Sequence, residues 1–203
     1  MTDDRRPDKP FSAACERNRD PILAVLRDWF ADRRRVLEIG SGTGQHAVYF
    51  APVLPHVSWQ TSERAEALPG LQAWLDDANL ANTPPPLTLE VGGVWPRETY
   101  DAVFSANTLH IMSWPEVQML FAALPAATTL DAKLAIYGPF NHAGHYTSDS
   151  NAAFDASLKA RSPQMGLRDA AEVDALAAAA GFDLVDDVAM PANNRLRLWR
   201  RVR

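Results

Sequence analysis

The stretch Arg35 to Ala51, RVLEIGSGTGQHAVYFA, constrains this chain more than any other. Val36, Leu37 and Ile39 make a short apolar run, Gly40, Gly42 and Gly44 then alternate with small residues, and an apolar helical pattern resumes from Gln45. The order is strand, tight turn, helix. Side chains are missing where the turn is tightest, so a ligand can approach the backbone and the start of the helix behind it. An open α/β sheet begins a nucleotide-type site in this way.

The spacing narrows the ligand. A Walker-type loop places Lys and then Ser or Thr after its last glycine, whereas Gln45 and His46 follow Gly44. This argues against a nucleoside triphosphate. The dinucleotide fingerprint is G-x-G-x-x-G, but this loop runs G-S-G-T-G and is preceded by Glu38. A carboxylate there repels a pyrophosphate and attracts an ammonium group. S-adenosylmethionine carries an ammonium, a carboxylate and a sulfonium, and no phosphate. Glu38 to Gly44 resembles the first motif, E/D-x-G-x-G-x-G, of the class I S-adenosylmethionine-dependent methyltransferases.

Length and composition agree with one enzyme-sized domain. At 203 residues and 47% hydrophobic content the chain can build a full core, and no second domain is expected. A net charge of −5 argues against a nucleic-acid surface, which needs a basic stripe, and favours a small-molecule substrate. Cys15 is the sole cysteine, which excludes an intramolecular disulfide and a zinc knuckle. The opening residues lack the apolar core of a signal peptide and no later run reaches membrane-spanning length, so no membrane partner and a cytoplasmic location are expected. Residues 1–10 are expected to be a flexible tail and 11–203 a single methyltransferase domain.

Along the chain, Ser12 can cap a short turn through Cys15 to Arg17, and Asp20-Pro21 marks the start of a helix ending near Ala31. That helix precedes the first strand and can lie over the strand ends as a lid, turning Arg17 and Asn18 to the ligand; a solvated helix start is the other reading. Val57, Trp59 and Thr61 alternate as a second strand ending at Glu63. Glu63 follows the first glycine by the roughly 20 residues at which an acid holds ribose hydroxyls, and it also suits the start of the next helix. Pro84 to Pro86 deliver the chain to a third strand, Leu87 to Val91, and Tyr100 to Phe104 lead into a fourth. In the resembling superfamily an acid at the end of the third strand receives the adenine amino group while its neighbour packs on the ring, which implies Glu90 and Val91 here.

Asn107 follows the fourth strand and is the first candidate for the wall around the methyl group. His110 is a candidate general base because imidazole titrates near neutral pH, against the plainer reading of a packed spacer. Lys133 to Tyr137 is a fifth strand, and the polar insertion Asn141 to Ser150 carries His142, His145 and Tyr146, where substrate specificity is expected. His142 and His145 lack a third ligand, so no metal site is expected. Tyr137 and Tyr146 can orient a polar substrate or simply pack. Asn151 to Lys159 reads as a helix, Asp169 with Glu172 as a capping box before an alanine-rich helix, and Phe182 to Ala189 and Leu196 to Val202 as an antiparallel pair joined through Asn193.

Further stretches are similar to one methyltransferase-like family of unknown function: SAACERNRDPI from Ser12, WQTSE ending at Glu63, SANTLHI from Ser105, YGPF from Tyr137, SNAAFDASLK from Ser150 and MPANN from Met190. That family has Asp where this chain has Glu63 and Glu90; the extra methylene keeps the acceptor and moves it. The resemblance implies a Rossmann-like, doubly wound, mostly parallel seven-stranded sheet ending in an antiparallel pair, with S-adenosylmethionine as cofactor. It implies Arg17, Asn18, Glu38, the three glycines, Glu63, Glu90, Val91 and Asn107 around the cofactor. Asn107, His110 and Tyr137 are the catalytic candidates, and His142, Tyr146, Asn151 and Asn193 the substrate-binding ones. In-line methyl transfer needs alignment and a dry pocket more than strong acids or bases. Two rival readings are a non-catalytic cofactor- or partner-binding module, which shares every motif, and a nicotinamide-dependent oxidoreductase, which fits the glycine spacing poorly. Acceptor identity and oligomeric state are not legible.

Overall fold

The computed structural model describes residues 9–203. In chain order it begins α1 (Ala13–Trp29), β1 (Arg35–Ile39), α2 (Gln45–Phe50), β2 (Ser58–Glu63), α3 (Leu68–Ala78) and β3 (Leu87–Thr88). There follow β4 (Tyr100–Ala106), α4 (Trp114–Ala127), β5 (Thr128–Gly138), β6 (Phe140–Asn141), α5 (Asp149–Arg161) and β7 (Arg168–Asp169). The chain closes with α6 (Ala170–Ala179), β8 (Phe182–Met190), a 3₁₀ turn (Pro191–Asn193) and β9 (Asn194–Arg201). No helix among the described residues is long and apolar enough to cross a membrane.

The main sheet has seven strands in the order β3-β2-β1-β4-β5-β9-β8. β1 is central, with Val36 opposite Trp59 of β2 on one side and Ala102 of β4 on the other, both in parallel register. β9 runs antiparallel to β5 and β8 antiparallel to β9. Strand order reverses between β1 and β4. In a parallel sheet the crevice for a ligand opens beyond the carboxyl ends of strands at such a reversal, so Gly40 and Asn107 face the same space.

Both faces of the sheet are covered, which is why its strands read as apolar runs rather than alternating ones. Under α1 and α2 the rings of Phe50, Trp59 and Phe104 meet with centroids at most 5.7 Å apart, joined by Ile22, Leu26 and Phe30. Under α4 and α6 lie Leu37, Val103, Phe121, Val173 and Trp199. Truncating any of these to Ala removes apolar burial and leaves a cavity, at a cost of roughly 2–5 kcal/mol.

Two elements, α1 and β3, differ from the sequence reading. α1 does not restart at Asp20-Pro21 but runs unbroken from its Ser12 cap, whose hydroxyl accepts from Cys15 N–H at 3.3 Å. Pro21 removes the donor for the Arg17 carbonyl, which lies on the exposed side, while Ile22, Leu23 and Leu26 hold the helix on the core. β3 stops at Thr88 because the chain turns at Gly92-Gly93, Gly93 N–H donating to the Glu90 carbonyl at 2.8 Å. Asp169 caps α6 through Ala171 N–H at 3.0 Å, and its other oxygen takes the Gly144 N–H at 2.7 Å, which ties the polar insertion to α6. Residues 1–8 of the expected tail lie outside the described residues. Of the remaining two, Pro10 accepts from the Trp74 indole at 2.6 Å and Lys9 sits 4.1 Å over that ring, so both rest on α3.

Candidate cofactor and acceptor cleft

The loop after β1 is shaped by glycine geometry. Gly40 has φ +71°, and a Cβ there would stand 2.7 Å from the Thr108 side chain, so the β1 and β4 loops touch only because this residue is glycine. Gly42, at φ +56°, has nothing within 4 Å of a built Cβ: it opens onto the cleft. Gly44 is the N-cap of α2, behind the loop. The loop is stapled to the end of β2, where Ser41 N–H donates to the Ser62 carbonyl at 3.0 Å and Gly42 N–H to Glu63 Oε2 at 2.8 Å. Gln45 holds α1 over it, its side-chain oxygen accepting from Ser12 N–H at 2.6 Å and its amide donating to Glu16 at 3.0 Å.

The three acids singled out in the sequence separate. Glu63 lines the cleft. Glu38 does not: it is 1% exposed beneath the loop, and the Trp59 indole donates to its carboxylate at 2.9 Å. Burial pushes its pKa up to about 7, the indole hydrogen bond opposing. Glu90 is exposed and stands outside the lining, where Leu89 and Val91 appear instead.

Opposite the loop, Asn107 takes a left-handed conformation, φ +57°, and its N–H donates to the Tyr137 carbonyl at 2.9 Å, locking the end of β4 to that of β5. Tyr137 is buried and lines the cleft, and burial raises its pKa while a hydrogen bond from Asn18 lowers it. Asn18 in turn meets His46. Arg17 is exposed at the rim. His110 is buried edge-on to Phe154, ring centroids 5.2 Å apart. Burial, with Arg168 and Arg161 nearby, pushes its pKa down to about 4, so it is a neutral imidazole at neutral pH.

The expected substrate residues also divide. Asn151 is buried in the wall, its amide donating to Thr147 Oγ at 2.8 Å and to the Asn193 carbonyl at 3.2 Å. Asn193 itself stands outside the lining, as do His142 and Tyr146. His142 and His145 bridge a tight hairpin whose central residues, Ala143 and Gly144, both have positive φ. The Tyr146 hydroxyl donates to buried Asp155 at 2.7 Å, pinning that hairpin to α5. Sequence reasoning missed Cys15, His46, Arg161 and Met165 as wall residues. The spacing of His46 and Phe50 on one helix face was a signal for the second of these; Arg161, at the end of α5, and Met165, in the turn beyond it, carried none.

These residues enclose one continuous open cleft of about 1350 Å³. Its wall fits a phosphate-free nucleoside: a carboxylate stands at the end of β2, Gly42 leaves room for close approach, and Leu89 and Val91 supply an apolar flank. A parallel sheet closed by an antiparallel pair, with a glycine loop after its central strand, is the Rossmann-like fold of the class I S-adenosylmethionine-dependent methyltransferases. The chain belongs to DUF938, a protein family of unknown function, which it matches over residues 9–201.

Solved structures agree on the fold. The S-adenosylmethionine-dependent methyltransferase SibL in its apo form is 21% identical with a TM-score of 0.79, over 94% of this chain and 56% of that one. PigF with S-adenosylhomocysteine (SAH) is 18% identical with a TM-score of 0.76, over 90% and 61%. An O-methyltransferase family 2 protein from Planctomyces limnophilus DSM 3776, in complex with apigenin, is 16% identical with a TM-score of 0.72, over 91% and 62%. The chain therefore spans little more than half the length of the structures it matches.

Proposed function

We propose that this chain binds S-adenosylmethionine at the glycine-loop end of the cleft and catalyses methyl transfer to a small-molecule acceptor at the other end. The observation that carries the reading is the continuity of the cleft: the glycine loop, Glu63, Asn107, Tyr137 and His110 all line one space. PigF with SAH and the Planctomyces protein in complex with apigenin support the reading of this fold as one that takes the cofactor product and a small molecule.

When bound, the cofactor supplies an electrophilic methyl group on a sulfonium. Glu63 accepts the ribose hydroxyls, for which its carboxylate has a lone pair left on each oxygen beyond those on Gly42 N–H and Arg64 N–H. Leu89 and Val91 cover the adenine. Arg17 and Asn18 close the cleft from above, and α1 excludes water from the middle of it. Asn107 and Tyr137 align the reacting groups. His110, held neutral, accepts a hydrogen bond from the acceptor; with a pKa of about 4 it is a weak base, which suits a reaction whose barrier is mainly alignment.

The test is transfer of radiolabelled methyl from S-adenosylmethionine into a small-molecule extract, with Asn107→Ala alongside. Label should enter a low-molecular-weight product, and Asn107→Ala should lower turnover well beyond any loss of cofactor affinity. Cofactor binding with no labelled product would favour the non-catalytic reading; equal loss of binding and turnover would remove Asn107 from the reaction.

A further inference from the structure

We infer that the acceptor half of the cleft is an anion site, taking a flat apolar small molecule that carries a carboxylate, with Arg161 as its counter-ion. This rests on the methyltransferase reading of the same cleft. Five charged side chains line the space: Arg17, Glu63, Arg64, Glu116 and Arg161. Three of them are engaged at the nucleoside end. Glu63 accepts from Gly42 N–H, and Arg64 pairs with Glu116 at 2.7 Å. Arg17 and Arg161 have no ion-pair partner among the described residues.

The two free cations stand on different elements, Arg17 on α1 and Arg161 at the end of α5. Arg161 lies seven residues from Phe154 on α5 and so on the same helix face, Phe154 stands edge-on to His110, and the His110 ring lies 3.8 Å from where a Cβ on Gly138 would be. Gly138 closes β5, so α5 brings Arg161 to the cleft at that strand end. The lining carboxylate that borders this half, Glu116, is held by Arg64 and by Ser113 N–H, and Asp155 on α5 is buried and already holds Lys159, the Tyr146 hydroxyl and Leu167 N–H. Ile111, Met112, Phe154 and Met165 make the rest of the wall apolar. A concave apolar wall with one sign of charge focuses the field and draws the opposite charge, here in a chain whose net charge is −5. Arg161 sits beyond the end of the cleft where the cofactor's own carboxylate is expected, near Arg17 and the glycine loop, so Arg161 is the residue assigned to the acceptor.

The probes are 4-hydroxybenzoate and its neutral isostere 4-hydroxybenzamide, titrated calorimetrically into protein saturated with SAH. The benzoate should bind at least about tenfold more tightly, the worth of one charge-assisted pair. Arg161→Gln should abolish that preference while SAH affinity stays within about twofold of wild type, and Arg161→Lys should restore part of it. Equal affinity for the two probes, binding of neither, or a preference that survives in Arg161→Gln overturns the inference. Failure of SAH itself to bind wild type is a separate outcome and overturns the reading beneath it.

Discussion

His46 Nε2 stands 2.7 Å from Asn18 Oδ1, and Nδ1 of the same ring faces the Cys15 thiol at 3.9 Å. An amide oxygen only accepts, so Nε2 carries the ring proton and Nδ1 is the acceptor. The amide nitrogen of Asn18 is then left for the Tyr137 hydroxyl, whose own proton is free to point into the cleft. A buried histidine thus fixes the polarity of a wall residue it does not touch.

His46→Phe keeps a ring against Phe50, now at 5.2 Å from the imidazole, but leaves Asn18 Oδ1 without its donor. Urea unfolding should show a loss of about 1–3 kcal/mol. In a double-mutant cycle with Asn18→Ala the two losses should fall short of additive by at least about 0.5 kcal/mol. Strict additivity would mean the two side chains do not act as a unit.

Glu38 and Glu63 should behave oppositely although both flank the glycine loop. Glu63→Gln removes the charged acceptor from the cleft and should weaken SAH binding by about ten- to a hundredfold. Glu38→Gln, buried under the loop with Trp59 as its donor, should leave that affinity within about twofold. The reverse pattern would place the cofactor on the wrong side of the loop.

Substitution at two glycines of one loop should separate folding from binding. In Gly40→Ala the new Cβ meets Thr108 at 2.7 Å, and thermal unfolding should fall by several degrees. In Gly42→Ala the Cβ enters open space, so the penalty is the left-handed backbone alone, about 1–2 kcal/mol, while SAH affinity should be lost. Calorimetry on both folded variants distinguishes the cases.

Stability should rise with pH between about 5 and 6. His46 and His110 each fall from 6.5 to about 4 on folding, so between those values the unfolded chain holds more protons and acid destabilises. Glu38 opposes them: folding raises it from 4.5 to about 7, a stabilisation that is complete below 4.5 and lost as pH rises through 7. Two protons against one leave a net slope of roughly 1 kcal/mol per pH unit near pH 5.5. Glu38→Gln should about double that slope; a flat profile in wild type would contradict the burial of the two imidazoles.

What the sequence made legible was local or fixed by short connections. The apolar run of β1 and its three glycines specify strand and loop directly, and the short link through Pro191 forces β8 and β9 to be antiparallel neighbours. Which acid faces the cleft was not legible. Glu38 sits on a strand buried on both faces, and the Gly92-Gly93 turn swings Glu90 outward, both consequences of packing rather than spacing. Tyr146 looked like a substrate residue until the fold brought Asp155 to its hydroxyl. Arg161 is far in sequence from the glycine loop, and only the assembled fold brings the end of α5 to the cleft which that loop opens.

The most direct test of the account is a calorimetric titration of the wild-type chain with SAH, with NAD as control. The account predicts one SAH site per chain in the micromolar range and no heat of binding with NAD. Absence of SAH binding, or binding of NAD in its place, would contradict it and leave Glu63 as no more than the acceptor for Gly42 N–H and Arg64 N–H.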